Sequence, residues 1–359
     1  MYALNTIAQT VMATITTLID FSNKLVKKIV SKKLTFGIEI ETFVSRGDAK
    51  AIMLRAVQSV VGGEIVTRRN SHGWMSKGIE ASDGRVWLVV SDASIKDNSG
   101  HQAGIRGAEV VSPILQYSDI PVLQEIVRAM RRAGGKTNSS CGIHIHVGVK
   151  NADGETVLDC KAMSSLQNQV YKYDKYLDKA LQIHSVRRHG RYGNNQGYVR
   201  YVGQAFVRGL DRLAKKRGQD NTQKMGELNE LLYGYRNSSP DVYASERYYT
   251  LNFHSFFYGG NTVEMRAFNS VLHAGKVKSF VQLYLAMVVS ATEKSTKFTP
   301  QWEVDGNEDV AAFKWRVFMK SIGLVGDEFK TLRGHFLKNF GNSSRGQEVL
   351  RQRRRQEEG

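Results

Sequence analysis

Phe36 to Thr42 read FGIEIET, so that Phe36, Ile38 and Ile40 alternate with Gly37, Glu39 and Glu41. A period of two places the apolar set on one face of a β-strand and both glutamates on the other. The pattern returns in CGIHIHVG, residues 141–148, where Ile143, Ile145 and Val147 alternate with His144 and His146. Asn252 and His254 share a face in LNFH, and Glu264 and Arg266 do so in TVEMRAF. Asp92 in VVSDASI and Glu109 in GAEVVSP stand at the ends of two more strand-like runs.

Working outward, strands are expected over Arg85 to Ser91, Ala108 to Ser112, Gly142 to Val149, Tyr248 to Phe257 and Thr262 to Phe268, bounded by Gly, Asn, Asp or Pro. The last two read as a hairpin around Tyr258-Gly259-Gly260-Asn261. Helical periods cover Asp48 to Val61, Asp119 to Ala133, Glu155 to Ile183, Thr222 to Tyr233, Lys276 to Ala291, Val310 to Ile322 and Gly326 to Asn339. Strict βαβ alternation is missing. The fold class is therefore α+β, with a curved, mainly antiparallel sheet of about six strands backed by helices.

Residues 1–33 carry an apolar stripe at Leu4, Ile7, Val11, Ile15, Leu18, Leu25 and Ile29 and read as an amphipathic helix. It lacks the basic lead and unbroken apolar run of a signal peptide or membrane span, and it offers a surface for the domain or for a second copy of the chain. Residues 34–345 form the catalytic domain, with a helical insertion at about 151–241, and 346–359 form a charged tail expected to fray.

Clustered acid and imidazole groups on rigid strands carry the chemistry. Carboxylates with one or two histidines suit Mg2+ or Mn2+, which take hard oxygen ligands together with substrate phosphates. Glu39, Glu41, Glu109, Glu264 and one or both of His144 and His146 are the expected metal ligands. Four carboxylates exceed what a catalytic zinc needs. A single E-x-E or H-x-H is ordinarily a solvated strand face; three such pairs on separate strands are not. His101, His184 and His189 lack such company and read as surface or satisfied residues.

The chain of 359 residues carries 51 Lys plus Arg against 34 Asp plus Glu, a net +17 that favours anionic partners without defining the chemistry. Between Lys172 and Arg236 stand 14 basic and 6 acidic residues, which points to an anionic substrate such as an acidic peptide. Cys141 and Cys160 are too few for a disulfide framework, and a reducing, cytoplasmic location is expected.

The ordered set FGIEIET, SDASI, AEVVSP, CGIHIHVG, LNFH and TVEMRAFN resembles the amidoligase family, a branch of the carboxylate-amine ligases that share the glutamine synthetase and glutamate-cysteine ligase catalytic fold. The resemblance covers about Leu34 to Val149 and Tyr248 to Ala291. It implies ATP with magnesium and a reaction through an acyl phosphate. It places Glu39, Glu41, Glu109, His144, His146 and Glu264 at the metals, and Arg266 in the closing E-x-R beside them. Asp92 matches the acidic residue of the family's D-x-S turn.

An amine does not displace oxide from a carboxylate, so amide formation needs that oxygen phosphorylated first, and several carboxylates are needed to hold the metals that neutralise the moving charge. Arg266 cannot lose its proton and suits the phosphoryl group or the substrate carboxylate. Asp92 either binds or deprotonates the amine or simply caps a turn. Arg187, Arg188 and Arg191, with Asn252, are the candidates for nucleotide or acidic substrate, against the alternative of a solvated charge run. Cys141 is expected to be structural. A metal-dependent phosphodiesterase or nuclease and a non-catalytic nucleic-acid-binding protein are the competing classes; E-x-E, H-x-H and E-x-R on successive strands, and the lack of regular aromatic interleaving, disfavour them.

Overall fold

The computed structural model describes residues 19–70, 73–190 and 197–357. Its frame is an antiparallel sheet built from β1 (Phe36–Val44), β2 (Glu64–Arg69), β3 (Met75–Glu80), β4 (Val86–Val90), β5 (Gly107–Val111), β6 (Gly135–Lys136), β7 (Gly142–Gly148), β8 (Leu251–Asn252) and β9 (Thr262–Asn269). The order is β2-β3-β4-β5-β1-β7-β9-β8, with β6 pairing the end of β1. The sheet thus has nine strands rather than six. The three extra strands escaped notice for a physical reason: β2 (EIVTRR) is largely exposed and β3 (MSKGIE) half so, hence neither alternates cleanly, and β6 is two residues long.

Alternation along β1, β7 and β9 sends Ile38, Ile40, Ile143, Ile145, Val263 and Met265 into the core, each 1% exposed or less. Helices cover that face. Helix α1 (Lys24–Ser31), α2 (Ala49–Val61) and α3 (Ile120–Arg132) lie in the first half of the chain. The stretch 151–241 supplies α4 (Cys160–Leu181), α5 (Ser185–His189), α6 (Gln204–Lys215) and α7 (Asn221–Tyr233). Helix α8 (Ala274–Glu293) is apolar nearly all round, as a helix packed on several sides must be, and its Tyr284 hydroxyl donates to the Val263 carbonyl at 2.9 Å.

The chain closes with α9 (Glu308–Ser321), α10 (Lys330–Leu337) and α11 (Ser343–Glu357). The tail expected to fray is this last helix. Its start is pressed on α9, where a Cβ at Gly346 would fall 1.8 Å from the Asp309 carbonyl oxygen. No described helix is long and apolar enough to cross a membrane. Most of the amphipathic stretch expected at the N-terminus lies outside the described residues; its last turns form α1, which buries Leu25, Val26 and Ile29.

The expected strand from Tyr248 to Phe257 is shorter than the alternation implied. Only Leu251 and Asn252 pair with β9, opposite Met265 and Glu264, while Tyr249 makes a single parallel bridge to Arg200. The chain then turns through a π-helical segment, Phe256–Gly260, so the hairpin exists with a longer, bent loop. At Gly259 φ is +118°, a conformation that a side chain would strain.

Candidate active site

The face opposite the helices gathers the acidic and imidazole residues because the strand registers place them side by side. Glu41 sits across from Glu109, Glu39 from His144, and His146 from Glu264, while Asn252 faces Glu264 from the other edge. A register shift between Ile143 and Ile145 in the β7–β9 pairing sets His146 opposite Glu264. Glu41, His144, Asn252, Glu264 and Arg266 are buried, and Glu39, Asp92, Glu109 and His146 half-buried.

The groups interlock. His144 Nδ1 lies 3.1 Å from Glu39 Oε2 and 3.6 Å from Glu264 Oε1, and His146 Nε2 lies 3.3 Å from Glu39 Oε1. Arg266 Nη1 donates to Glu264 Oε1 at 2.5 Å, and Asn252 Nδ2 donates to Glu264 Oε2 at 2.6 Å. The Gly142 N–H donates to Glu41 Oε2 at 2.7 Å. His146 Nδ1 is 3.1 Å from Thr262 Oγ1, a partner that the sequence reading overlooked because threonine at a strand start carries no special signal.

Burial dominates the electrostatics. It pushes Glu41 up to about 8, with repulsion from Asp92 adding to it. Glu109 is raised well above its ordinary value by burial and then by Glu39, Asp92 and Glu41. Burial acts the same way on Glu39 and Glu264, but His146 and His144 together outweigh it at Glu39, and Arg266 with His146 and His144 outweighs it at Glu264, so both are lowered. His144 is lowered by burial and by Arg266, whereas the attraction of Glu39 and Glu264 overcomes burial at His146 and raises it.

Crowded carboxylates that repel one another are the pattern a cation relieves. Among the described residues, three overlapping sets have ligand atoms within 4.8 Å of one another: Glu39, His146 and Glu264; Glu39, Glu109 and His144; and Glu41, Asp92 and Glu109. This oxygen-rich donor set fits Mg2+ or Mn2+. Asp92 also accepts from the Ser94 N–H at 2.6 Å, so it caps its turn while facing the cluster.

All of these residues line one cavity of about 1420 Å³, larger than a pocket for a single small ligand. Trp74, Met75 and Lys77 line it from β3 and the turn before it, and Tyr198, Tyr243, Arg247 and Tyr248 from the chain around the helical insertion. Sequence reading assigned none of these to the site, since single aromatic, apolar and basic residues without an alternating polar partner give no pattern to read. His101, His184 and His189 are not among its lining residues.

The arginine run is placed differently from expectation. Arg188 is 2% exposed and pairs with Asp174 and Asp178, away from the cavity lining. Arg187 does line the cavity, but its guanidinium is committed to the Phe268 and Arg266 carbonyls, with Arg266 O at 3.2 Å. Burial lowers Arg187 to about 10 even beside Glu41. Arg191 lies outside the described residues. Helix α5 turns both arginines inward because Asp174, Asp178 and bare carbonyls await them there, which net charge alone cannot reveal.

Cys141 is buried and its thiol is pushed up to about 11 by burial. Native protein at pH 8 is expected to react with iodoacetamide at neither cysteine, with both labelling only after unfolding; rapid native labelling of Cys141 would show an activated thiol.

Fold and site define an α+β protein whose antiparallel sheet presents a carboxylate, imidazole and guanidinium cluster to a deep cavity. Residues 32–288 match the putative amidoligase enzyme family, and the chain belongs to it. Among solved structures it is similar to a bifunctional glutathione synthetase from Pasteurella multocida, with 10% identity and a TM-score of 0.39 over 90% of this chain and 50% of that one. It is also similar to the Plasmodium falciparum glutamine synthetase, with 8% identity and a TM-score of 0.34 over 79% of this chain and 57% of that one. This chain therefore spans about half the length of those two proteins. No curated protein sequence matches it.

Proposed function

We propose that this chain is an ATP- and magnesium-dependent ligase that joins a carboxylate to an amine through an acyl phosphate. One observation carries the reading: three overlapping sets of hard ligands on one rigid sheet face, with the Arg266 guanidinium held against Glu264. An oxygen of the acid takes the γ-phosphoryl group of ATP and ADP leaves; the amine then attacks the activated carbonyl, phosphate departs, and the amine loses a proton.

Glu39, Glu41, Glu109, Glu264, His144 and His146 would hold Mg2+ or Mn2+, which when bound supplies positive charge for phosphoryl transfer. Arg266, buried and permanently charged, stands where negative charge develops. Asn252 fixes Glu264 so that its second oxygen stays with Arg266. Asp92 lines the cavity beside Glu41 and Glu109 and is the group proposed to hold the amine or take its proton.

An anionic peptide remains the proposal for one of the two substrates, on fewer cations than the sequence counts. Lys175, Lys179, Lys215 and Lys216 of the insertion pair with Glu303, Glu308, Asp211 and Glu227. Lys50, Lys77 and Arg247 line the cavity and supply positive charge there.

The test is the fate of ATP. With a panel of amino acids and acidic peptides, turnover should yield ADP and phosphate, and hydroxylamine should trap the activated acid as a hydroxamate. Release of AMP and pyrophosphate would mean adenylation and overturn the acyl-phosphate reading.

A further inference from the structure

His254 belongs to none of the three ligand sets, yet the fold aims it at the same cavity. Its backbone N–H donates to Asn252 Oδ1 at 2.7 Å, which ties it to the residue that holds Glu264. Its ring stacks on Tyr258, with centroids 5.7 Å apart and planes 16° apart. Nδ1 lies 2.7 Å from the hydroxyl of Tyr233, the last residue of α7, so the insertion reaches the catalytic sheet through this contact. The residue is only 3% exposed, and Nε2 is buried with no hydrogen-bond partner.

The Tyr233 contact sets the tautomer. A phenol donates readily to an imidazole nitrogen, and burial raises the Tyr233 hydroxyl above its ordinary value, so it keeps its proton. With Tyr233 O–H donating to Nδ1, the imidazole proton sits on Nε2. Burial and then Arg247 lower His254, so the ring is neutral. The result is an N–H donor without an acceptor at a buried position, an arrangement that costs stability unless a ligand completes it. Gly259 and His254 line the same cavity, and a Cβ at Gly259 would meet nothing within 4 Å.

We infer that His254, oriented by Tyr233, donates a hydrogen bond from Nε2 to an anionic oxygen of a bound substrate, either a carboxylate or a phosphoryl oxygen. This deepens the ligase reading and rests on it only for the identity of the anions. The site is built by two elements, the β8–β9 turn and the end of α7, so it couples the insertion to substrate binding. His254 is a binding residue here and takes no proton.

The experiment uses full-length protein labelled with 15N in its nine histidines, with the His254 signals assigned by their loss in His254→Gln. Long-range 1H–15N spectra should report the Nε2–H tautomer, and Tyr233→Phe should mix the two tautomers. Three probes are then added separately: ATP with MgCl2, inorganic phosphate, and glutarate. A saturable shift of His254 with ATP and phosphate assigns a phosphoryl oxygen; a shift with glutarate assigns a carboxylate. Tyr233→Phe should weaken the effective probe by about three- to tenfold. A His254 signal that stays still with all three probes, or one that is protonated on Nδ1 alone, overturns the assignment. If His144 and His146 respond to ATP with MgCl2 while His254 does not, the ligase reading stands and this inference falls. If none of the three responds, both fall.

Discussion

Glu39→Gln is expected to weaken Mn2+ binding at least about tenfold and to lower ATP-dependent ligation at least about a hundredfold, the scale of losing a preorganised charged group. Glu39 belongs to two of the three ligand sets and touches both imidazoles, so a single neutralised carboxylate removes a donor from two places at once. The glutamine keeps the shape of the side chain but turns an N–H toward one of the histidines. Electron paramagnetic resonance of free Mn2+ during a titration, with far-UV circular dichroism to confirm folding, measures the first effect independently of any substrate. Unchanged Mn2+ affinity in a folded variant would remove Glu39 from the metal site.

Arg188→Met is expected to cost about 3–5 kcal/mol of folding stability, because breaking a buried ion pair leaves an uncompensated charge. Asp174 is fully enclosed, burial pushes it up to about 6 even with Arg188 beside it, and the Thr250 hydroxyl donates to it at 3.2 Å. Adding Asp174→Asn to Arg188→Met should return part of the loss, since the stranded charge goes with it. Urea unfolding reads both variants. A surface arginine that touches nucleotide would behave oppositely, with ATP affinity lost and the unfolding midpoint unchanged.

What could be read in advance follows from period. Strands β1, β5, β7 and β9 alternate cleanly because one face is core and the other is the site, so Glu39, Glu109, His144, His146, Glu264 and Arg266 announced themselves through the apolar residues between them. The order of the strands and the contacts of Asn252 and Asp92 with their neighbours needed the pairing itself. Strand β2 has a free edge and little buried surface, so its residues show no two-fold rhythm. Arg187 and Arg188 illustrate a second limit. A run of charges looks the same in sequence whether it meets water or buried carboxylates, and only Asp174 and Asp178, a few turns earlier on α4, decide between them. His254 was visible as a strand-face partner of Asn252, but its role depends on Tyr233, which is far away along the chain.

Strands β7 and β9 lie side by side, although the whole stretch 149–261 runs between them. Closing so long a loop adds little free energy, since each doubling of its length costs only about 0.6 kcal/mol, but it slows the search for the pairing. On this reasoning His146 and Glu264 are expected to meet late in folding, after the local helices have formed. A ribosome must also deliver the entire insertion before β9 exists, so the nascent chain holds only part of the carboxylate and imidazole cluster while its first strands emerge. By the same logarithm, the insertion can lengthen or shorten over generations with little thermodynamic consequence for the sheet or for the side chains that its strands bring together.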